Sequence, residues 1–274
     1  MSLSSCWDVN LLANKIGAKT RKHSDLLAFY IVFHRVDPDS EDTDDNDTRT
    51  LIEAAPCGWW YSARLPHGRR LVMYTTSPSN PTARVARTAA GFLDMLHLDT
   101  VHISRSLYED PAQHAPAADP QRGIPLYEIP PGTKFTRCTT AASSILDPYA
   151  AWEPQSPCGG GGGLRNDQQG RGWCAVGDAA LAFDPLSSQG IITALNAGAF
   201  LGSVLARHLN PSAADSSCPG GNAVVQEIHQ GYERVREKYE EGRAYYYRIV
   251  RRFDGASETP QTEEGGTGFW RAQR

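Results

Sequence analysis

Apolar positions in the first half of the chain come in short runs of strand length. Residues 26–33 (LLAFYIVF) form a continuous apolar, aromatic-rich run that reads as a buried strand. Residues 50–55, 58–65 and 70–76 come next in quick succession, with Pro66-His67-Gly68-Arg69 supplying turn chemistry between the last two. No crossover helix fits into gaps this short, so these strands are expected to be antiparallel neighbours in one sheet. Residues 88–96 predict a short helix with Phe92, Met95 and Leu96 on one face, and residues 134–140 a returning strand.

The second half carries helical periodicity. Residues 191–209 predict a long helix rich in Ala and Gly. Val225, Ile228, Tyr232, Val235, Tyr239, Gly242, Tyr246, Ile249 and Phe253 then recur by threes and fours, one apolar face over about eight turns. That face is expected to pack on the body of the protein, since its aromatic content is high for a coiled-coil seam. The pattern is that of an α/β (α+β) chain: an antiparallel sheet region over 1–150, an insertion over 151–171, a strand–loop–helix over 172–210, and a helix and tail over 211–274.

The stretches between these elements are polar. The acidic run 37–47 (DPDSEDTDDND) reads as exposed loop and lacks the Gly and closing Glu of a calcium loop, so no metal is expected there. Residues 109–133 are rich in Pro, Asp and Ala and read as loop. Five glycines at 159–163 invite a phosphate-binding reading, but there is no G-x-G-x-x-G, no strand before them and no helix after. A flexible insertion over 153–171 is the better reading.

Composition narrows the function. Of 274 residues, 40% are hydrophobic and 21% charged, as in ordinary globular proteins. The net charge of −4 points to neither nucleic acid nor an anionic membrane as partner. No apolar run is expected to reach the roughly 20 residues that span a bilayer, and the N-terminus lacks signal-peptide character, so a cytoplasmic protein is expected. Cys6, Cys57, Cys138, Cys158, Cys174 and Cys218 form no C-x-x-C pair, which predicts reduced thiols. Neither a Ser-His-Asp signature nor H-E-x-x-H is present, and His97 and His102 read as surface residues.

Chemistry concentrates between residues 173 and 209. The apolar run 173–176 ends in Gly177-Asp178; Asp184-Pro185-Leu186-Ser187-Ser188-Gln189-Gly190 then leads into the long helix. Asp178 is expected at the carboxyl end of a strand, where open α/β sheets place ligands, and its carboxylate can accept hydrogen bonds from a sugar-like hydroxyl chain. The helix start near Gly190 offers unpaired N–H groups and a positive dipole end. Ala194, Ala197, Gly198 and Gly202 are expected to let this helix pack closely on neighbouring backbone.

The string GWCAVGDAALAFDPLSSQGIITALNAG resembles the second FAD motif of p-hydroxybenzoate-hydroxylase-type flavoproteins, and more closely that of their halogenase-like branch. The resemblance implies a partial FAD/NAD(P)-binding fold with an antiparallel substrate-domain sheet and a long C-terminal helix. It implies FAD as cofactor, with Gly177 and Asp178 at the ribityl chain and Pro185, Ser187, Ser188, Gln189, Gly190 and Ile191 beside the ring. NADH or NADPH is the implied reductant and a small organic molecule the implied substrate, with Trp59, Trp60 and Tyr61 as weak substrate contacts. Catalytic residues are not identified. Gly58-Trp59-Trp60-Tyr61 falls near the W-x-W-x-I-P of flavin halogenases but departs from its spacing and ending, which leaves halogenation a minor alternative to monooxygenation. These flavoproteins begin with a strand, G-x-G-x-x-G and a helix, and no such unit occurs here. Residues 11–19 (LLANKIGAK) resemble the stretch just after the family's D-x-x-G motif, which lies mid-chain. The chain is therefore expected to be a C-terminal part, either an enzyme or an auxiliary subunit relying on a partner chain for the missing dinucleotide-binding half.

Overall fold

The computed structural model describes residues 15–36, 48–108, 125–154, 170–209, 221–250 and 269–270. In chain order these form β1 (Lys19–Lys22), β2 (Leu27–Arg35), β3 (Leu51–Ala55), β4 (Gly58–Leu65), β5 (Arg69–Thr76), α1 (Thr82–Val85), α2 (Ala89–Asp99) and α3 (His102–Arg105). Next come β6 (Tyr127–Glu128), β7 (Arg137–Thr140), β8 (Ser144–Asp147), β9 (Ala150–Pro154), β10 (Gly170–Cys174), β11 (Leu181–Ala182), α4 (Gly190–Leu209) and α5 (Gly221–Ile249). The chain divides into two units, one of residues 1–24 with 142–244 and one of residues 25–141 with 245–274. The acidic run 37–47, the loop 109–124, the glycines 159–163, Phe253, Cys6, Cys158 and Cys218 lie outside the described residues.

The sheet unit matches the strand reading closely. Its six strands run in the order β3-β4-β5-β2-β6, with β7 also pairing β2, and every pairing is antiparallel. Pro66, His67 and Gly68 make the β4–β5 turn, with His67 and Gly68 both at positive φ. One sheet face carries Phe29, Ile31, Phe33, Trp60, Val72 and Tyr74 into a core shared with Phe92, Met95 and Leu96 of α2. Thr88 caps α2 by accepting the Gly91 N–H, which is why the helix starts where the apolar face does. Trp60 lies against Tyr74 and Phe92, with ring centroids 4.7 and 5.0 Å away, and its indole N–H donates to Asp99 Oδ2 at 3.1 Å. His97, expected at the surface, is half-buried, its Nε2 within 3.0 Å of the Tyr108 hydroxyl.

The second unit holds a three-stranded antiparallel sheet, β1-β8-β11, and the antiparallel pair β9–β10. The insertion expected over 153–171 is therefore bounded by strands: β9 reaches Pro154 and β10 begins at Gly170. Ile145, Leu146, Tyr149 and Leu181 pack with Ala197, Leu201 and Val204 of α4 and Ile228 and Tyr232 of α5. The Tyr232 hydroxyl donates to the Ala175 carbonyl at 2.8 Å, tying α5 to the chain just beyond β10. Two expectations about the helices are corrected. Gly198 and Gly202 face open space, with nothing within 4 Å of an added Cβ, so they serve no close packing among the described residues. The buried face of α5 also drifts: Val235, Tyr246 and Ile249 are exposed, while Arg236 and Arg243 are partly covered and Tyr247 is buried against Trp270. In addition, Gly190–His208 is long and apolar enough to cross a membrane by length and composition, contrary to the expectation that no segment is.

Two consequences are measurable. A Cβ on Gly58 would stand 2.1 Å from the Thr75 carbonyl oxygen of β5, so backbone must move to admit it. Gly58→Ala should cost about 1–3 kcal/mol in urea unfolding. Burial raises the Asp99 carboxyl above its ordinary range, and the Trp60 hydrogen bond only partly opposes this. The folded state then holds the proton more tightly than the unfolded one, so stability declines as pH rises through that interval. Asp99→Asn keeps an acceptor for Trp60 and should flatten this decline, leaving the variant at least as stable at about pH 7 by thermal melting.

Candidate functional site

The segment from Gly177 to Ile191 is shaped by a few local constraints. Beyond β10 the chain turns through a 3-10 turn, Gly177–Ala179, that opens with Gly177 at φ +60. A side chain is excluded there twice over, because the conformation is left-handed and a Cβ would meet that of Ala194 at 3.1 Å. This close approach sets Gly177-Asp178 against the first turns of α4. β11 then adds to β8 and delivers the chain to Asp184.

Asp184 organises the loop that leads into α4, and it is the residue that sequence reasoning left out of the site. It is 1% exposed. Its Oδ1 accepts the Leu186 N–H at 3.0 Å and its carbonyl accepts the Ser187 hydroxyl at 2.7 Å. Its own N–H donates to the Tyr239 hydroxyl at 2.7 Å, and Arg243 Nε lies 3.8 Å from Oδ2. Tyr239 stacks on Phe183, and burial pushes its phenol up to about 12, so it stays a neutral acceptor at physiological pH. The signal available in the sequence was Asp-Pro before a Ser pair, the pattern of a capped 3-10 turn. Such a turn forms over Pro185–Ser187, closed by Ser188 in the left-handed region at φ 53. Ser187 Oγ accepts the Gln189 N–H at 3.3 Å, and the Gln189 carbonyl takes the Thr193 N–H at 2.8 Å as α4 begins.

The structure brings the expected residues together at one helix end. Asp178 is exposed, and a Cβ on Gly190 would stand 3.9 Å from its Oδ1, so the carboxylate lies beside the first residue of α4. Pro185, Ser188 and Gln189 are exposed on the approach to that point, and Ile191 is 80% exposed. The strand feeding the site differs from expectation. β10 belongs to an antiparallel pair with β9, and every pairing among the described residues is antiparallel, so Asp178 does not end a strand of a parallel sheet.

Trp59, Trp60 and Tyr61 lie in the other unit, on β4. Trp60 is fully buried in the sheet core, which leaves it no surface for a ligand. Trp59 is 1% exposed on the opposite face, its indole N–H without a hydrogen-bond partner among the described residues, and Tyr61 on that same face is half-buried. No group of three or more His, Cys, Asp or Glu among the described residues could hold a metal ion, and Cys57 and Cys174 are free thiols.

The donor set at the start of α4 fits a flavin. The Asp178 carboxylate is exposed and has no hydrogen-bond partner among the described residues, so it is free to accept from a ribityl hydroxyl chain. The opening N–H groups of a 20-residue helix carry the positive end of its dipole. Gly190 leaves the space between these two features open.

No protein-family model matches the chain, and no curated protein matches it. Among solved structures it is similar to the flavin-dependent halogenase CmlS, with TM-score 0.56 and 16% identity over 96% of this chain and 38% of that one. It is also similar to the flavin-dependent brominase Bmp2, with TM-score 0.52 and 12% identity over 89% of this chain and 50% of the other. The peptidyl tryptophan dihydroxylase QhpG gives TM-score 0.51 and 16% identity, over 86% and 42%. The chain thus spans half or less of the length of each of these three enzymes. At such identities the likeness is one of fold, and the chain has a mixed α/β, antiparallel-sheet fold like that of these flavin-dependent halogenases.

Proposed function

We propose that the chain is the flavin-contacting and substrate-facing part of an FAD-dependent oxidoreductase, with monooxygenation of a small organic molecule as its reaction. One observation carries the reading: the unengaged Asp178 carboxylate beside Gly190 at the positive end of α4. Asp178 would hold the ribityl chain, with Gly177 giving it room to approach. Pro185, Ser187, Ser188, Gln189, Gly190 and Ile191 would lie along the ring. Bound FAD supplies electron transfer from NADH or NADPH and the activation of O2. The part left to the protein is to fix the carboxylate, present the helix N–H groups where negative charge collects on reduction, and keep the 184–190 loop in one conformation.

Halogenation is the second reading. The fold is shared with CmlS and Bmp2, enzymes described as a halogenase and a brominase. Against it, Gly58-Trp59-Trp60-Tyr61 departs from the W-x-W-x-I-P pattern, and Trp60 is committed to the core. Product formation that depends on chloride or bromide would favour this reading over oxygenation.

We further propose that a second stretch of polypeptide, carrying the dinucleotide-binding unit, covers α4. Ile191 and Leu195 are 80% and 70% exposed, and Ile192 and the open positions Gly198 and Gly202 extend that apolar surface. A surface of this kind is unfavourable in water unless it is covered.

FAD added to the purified chain should bind with a shift of its visible absorption, and Asp178→Ala should weaken binding about tenfold, the worth of a charge-assisted hydrogen bond. Unchanged affinity would remove Asp178 from the site. The exposed helix face should make the isolated chain self-associate as its concentration rises in sedimentation velocity. Leu195→Glu should suppress that association without altering FAD affinity, and equal association by both proteins would count against α4 as a docking face.

A further inference from the structure

Away from the flavin segment, the sheet unit contains a cleft of about 540 Å³. It is lined by Ile52, Glu53 and Ala54 of edge strand β3, Asp99 at the end of α2, Val101 and His102 at the start of α3, and Ile249 and Val250 at the end of α5. The volume falls in the range of small-molecule sites. Its described walls are mostly apolar, and its polar side chains are two carboxylates and the exposed His102.

The two carboxylates are not equivalent. Glu53 is consumed by the fold: its Oε2 accepts the Val101 N–H at 2.9 Å and its Oε1 the His102 N–H at 2.6 Å. That pairing fixes the wall of the cleft. Asp99 is half-buried, and one of its oxygens accepts from Trp60 Nε1. The other has no hydrogen-bond partner among the described residues. Burial already disfavours its anion. Among the described residues no Lys or Arg lines the cleft, and His102 is exposed. An anionic ligand would meet two carboxylates and no Lys or Arg among the described lining residues. A wholly apolar one would bury Asp99 further with nothing to offset the cost. An ammonium group carried on an apolar body satisfies both halves of the lining, donating to Asp99 while its stem lies against Ile52, Val101 and Ile249.

We propose that this cleft is a binding site for a small organic amine, with Asp99 as the group that recognises the ammonium. The site is separate from the flavin reading and does not depend on it.

Isothermal titration of the full chain with 2-phenylethylamine, 2-phenylethanol and 3-phenylpropionate tests the proposal. The amine should bind about tenfold or more tightly than the alcohol, the gain expected of a charge-assisted hydrogen bond in a partly buried site, and the carboxylate should give no heat. Asp99→Asn, which preserves the acceptor for Trp60, should reduce the amine to the affinity of the alcohol. Val101→Trp fills the cleft from an exposed position and should abolish both. Equal binding of amine and alcohol, an amine preference that survives Asp99→Asn, or no amine binding up to about 10 mM would each overturn it. An FAD titration on the same variants should be unchanged, which separates failure of this site from failure of the flavin site.

Discussion

The flavin-type segment depends on one buried residue, Asp184. A carboxylate taken almost wholly out of water is costly unless it is hydrogen-bonded or paired, and here the surrounding groups are arranged to do that. Leu186 donates its N–H to the carboxylate, Arg243 stands nearby, and the Tyr239 hydroxyl receives the residue's own N–H. The consequence is mechanical. With Asp184 held on both sides, the 3-10 turn Pro185–Ser187 can form in only one place, and Gly190 arrives at a defined distance from Asp178. The exposed residues that would touch a ligand are thus positioned by one that touches none.

Asp184 also explains the drift of α5. The expected stripe already held Tyr239, whose hydroxyl does meet Asp184. What it left out is Arg243, which joins Tyr239 at the 184 turn, while Val235 of the stripe is exposed. Periodicity in the sequence announced a long helix and could not show this, because the competing term is the solvation of a carboxylate about 50 residues earlier rather than apolar burial. The same limitation concealed the role of Asp184 itself. Asp-Pro-x-Ser is an ordinary turn signal, and only tertiary placement reveals that its aspartate is buried.

The sheet was far more legible. Strands β2 to β5 lie within a residue or two of their expected bounds, because short apolar runs separated by Pro and Gly admit few alternatives and gaps of a few residues permit only antiparallel pairing. Side-chain fate along β4 was less so. Alternation puts Trp59 and Trp60 on opposite faces, yet both are buried, since this stretch of the sheet is covered on both sides. At β10 the expectation failed for a different reason: a short apolar run ending in Gly-Asp carries no information about its partner strand. The partner, β9, is the strand that leads into what composition suggested was an insertion.

The apolar composition of α4 admits two environments, and the packing within its unit separates them. By length and composition Gly190–His208 could cross a membrane. A spanning helix needs lipid or other spanning segments along its whole circumference. Here Ala197, Leu201 and Val204 are committed to a core that includes strand residues and the Tyr149–Tyr232 stack, and the helix ends in Arg207 and His208, both beside Glu227. That leaves a strip, from Ile191 through Leu195 to the open glycines, flanked by polar Asn196 and Ser203. Two glycines with no neighbour among the described residues, on an otherwise apolar strip, suit the close approach of another backbone better than fluid hydrocarbon, which gains nothing from a missing Cβ. The first turn of the helix lies beside Asp178, and its exposed strip is the face on which a covering polypeptide is proposed.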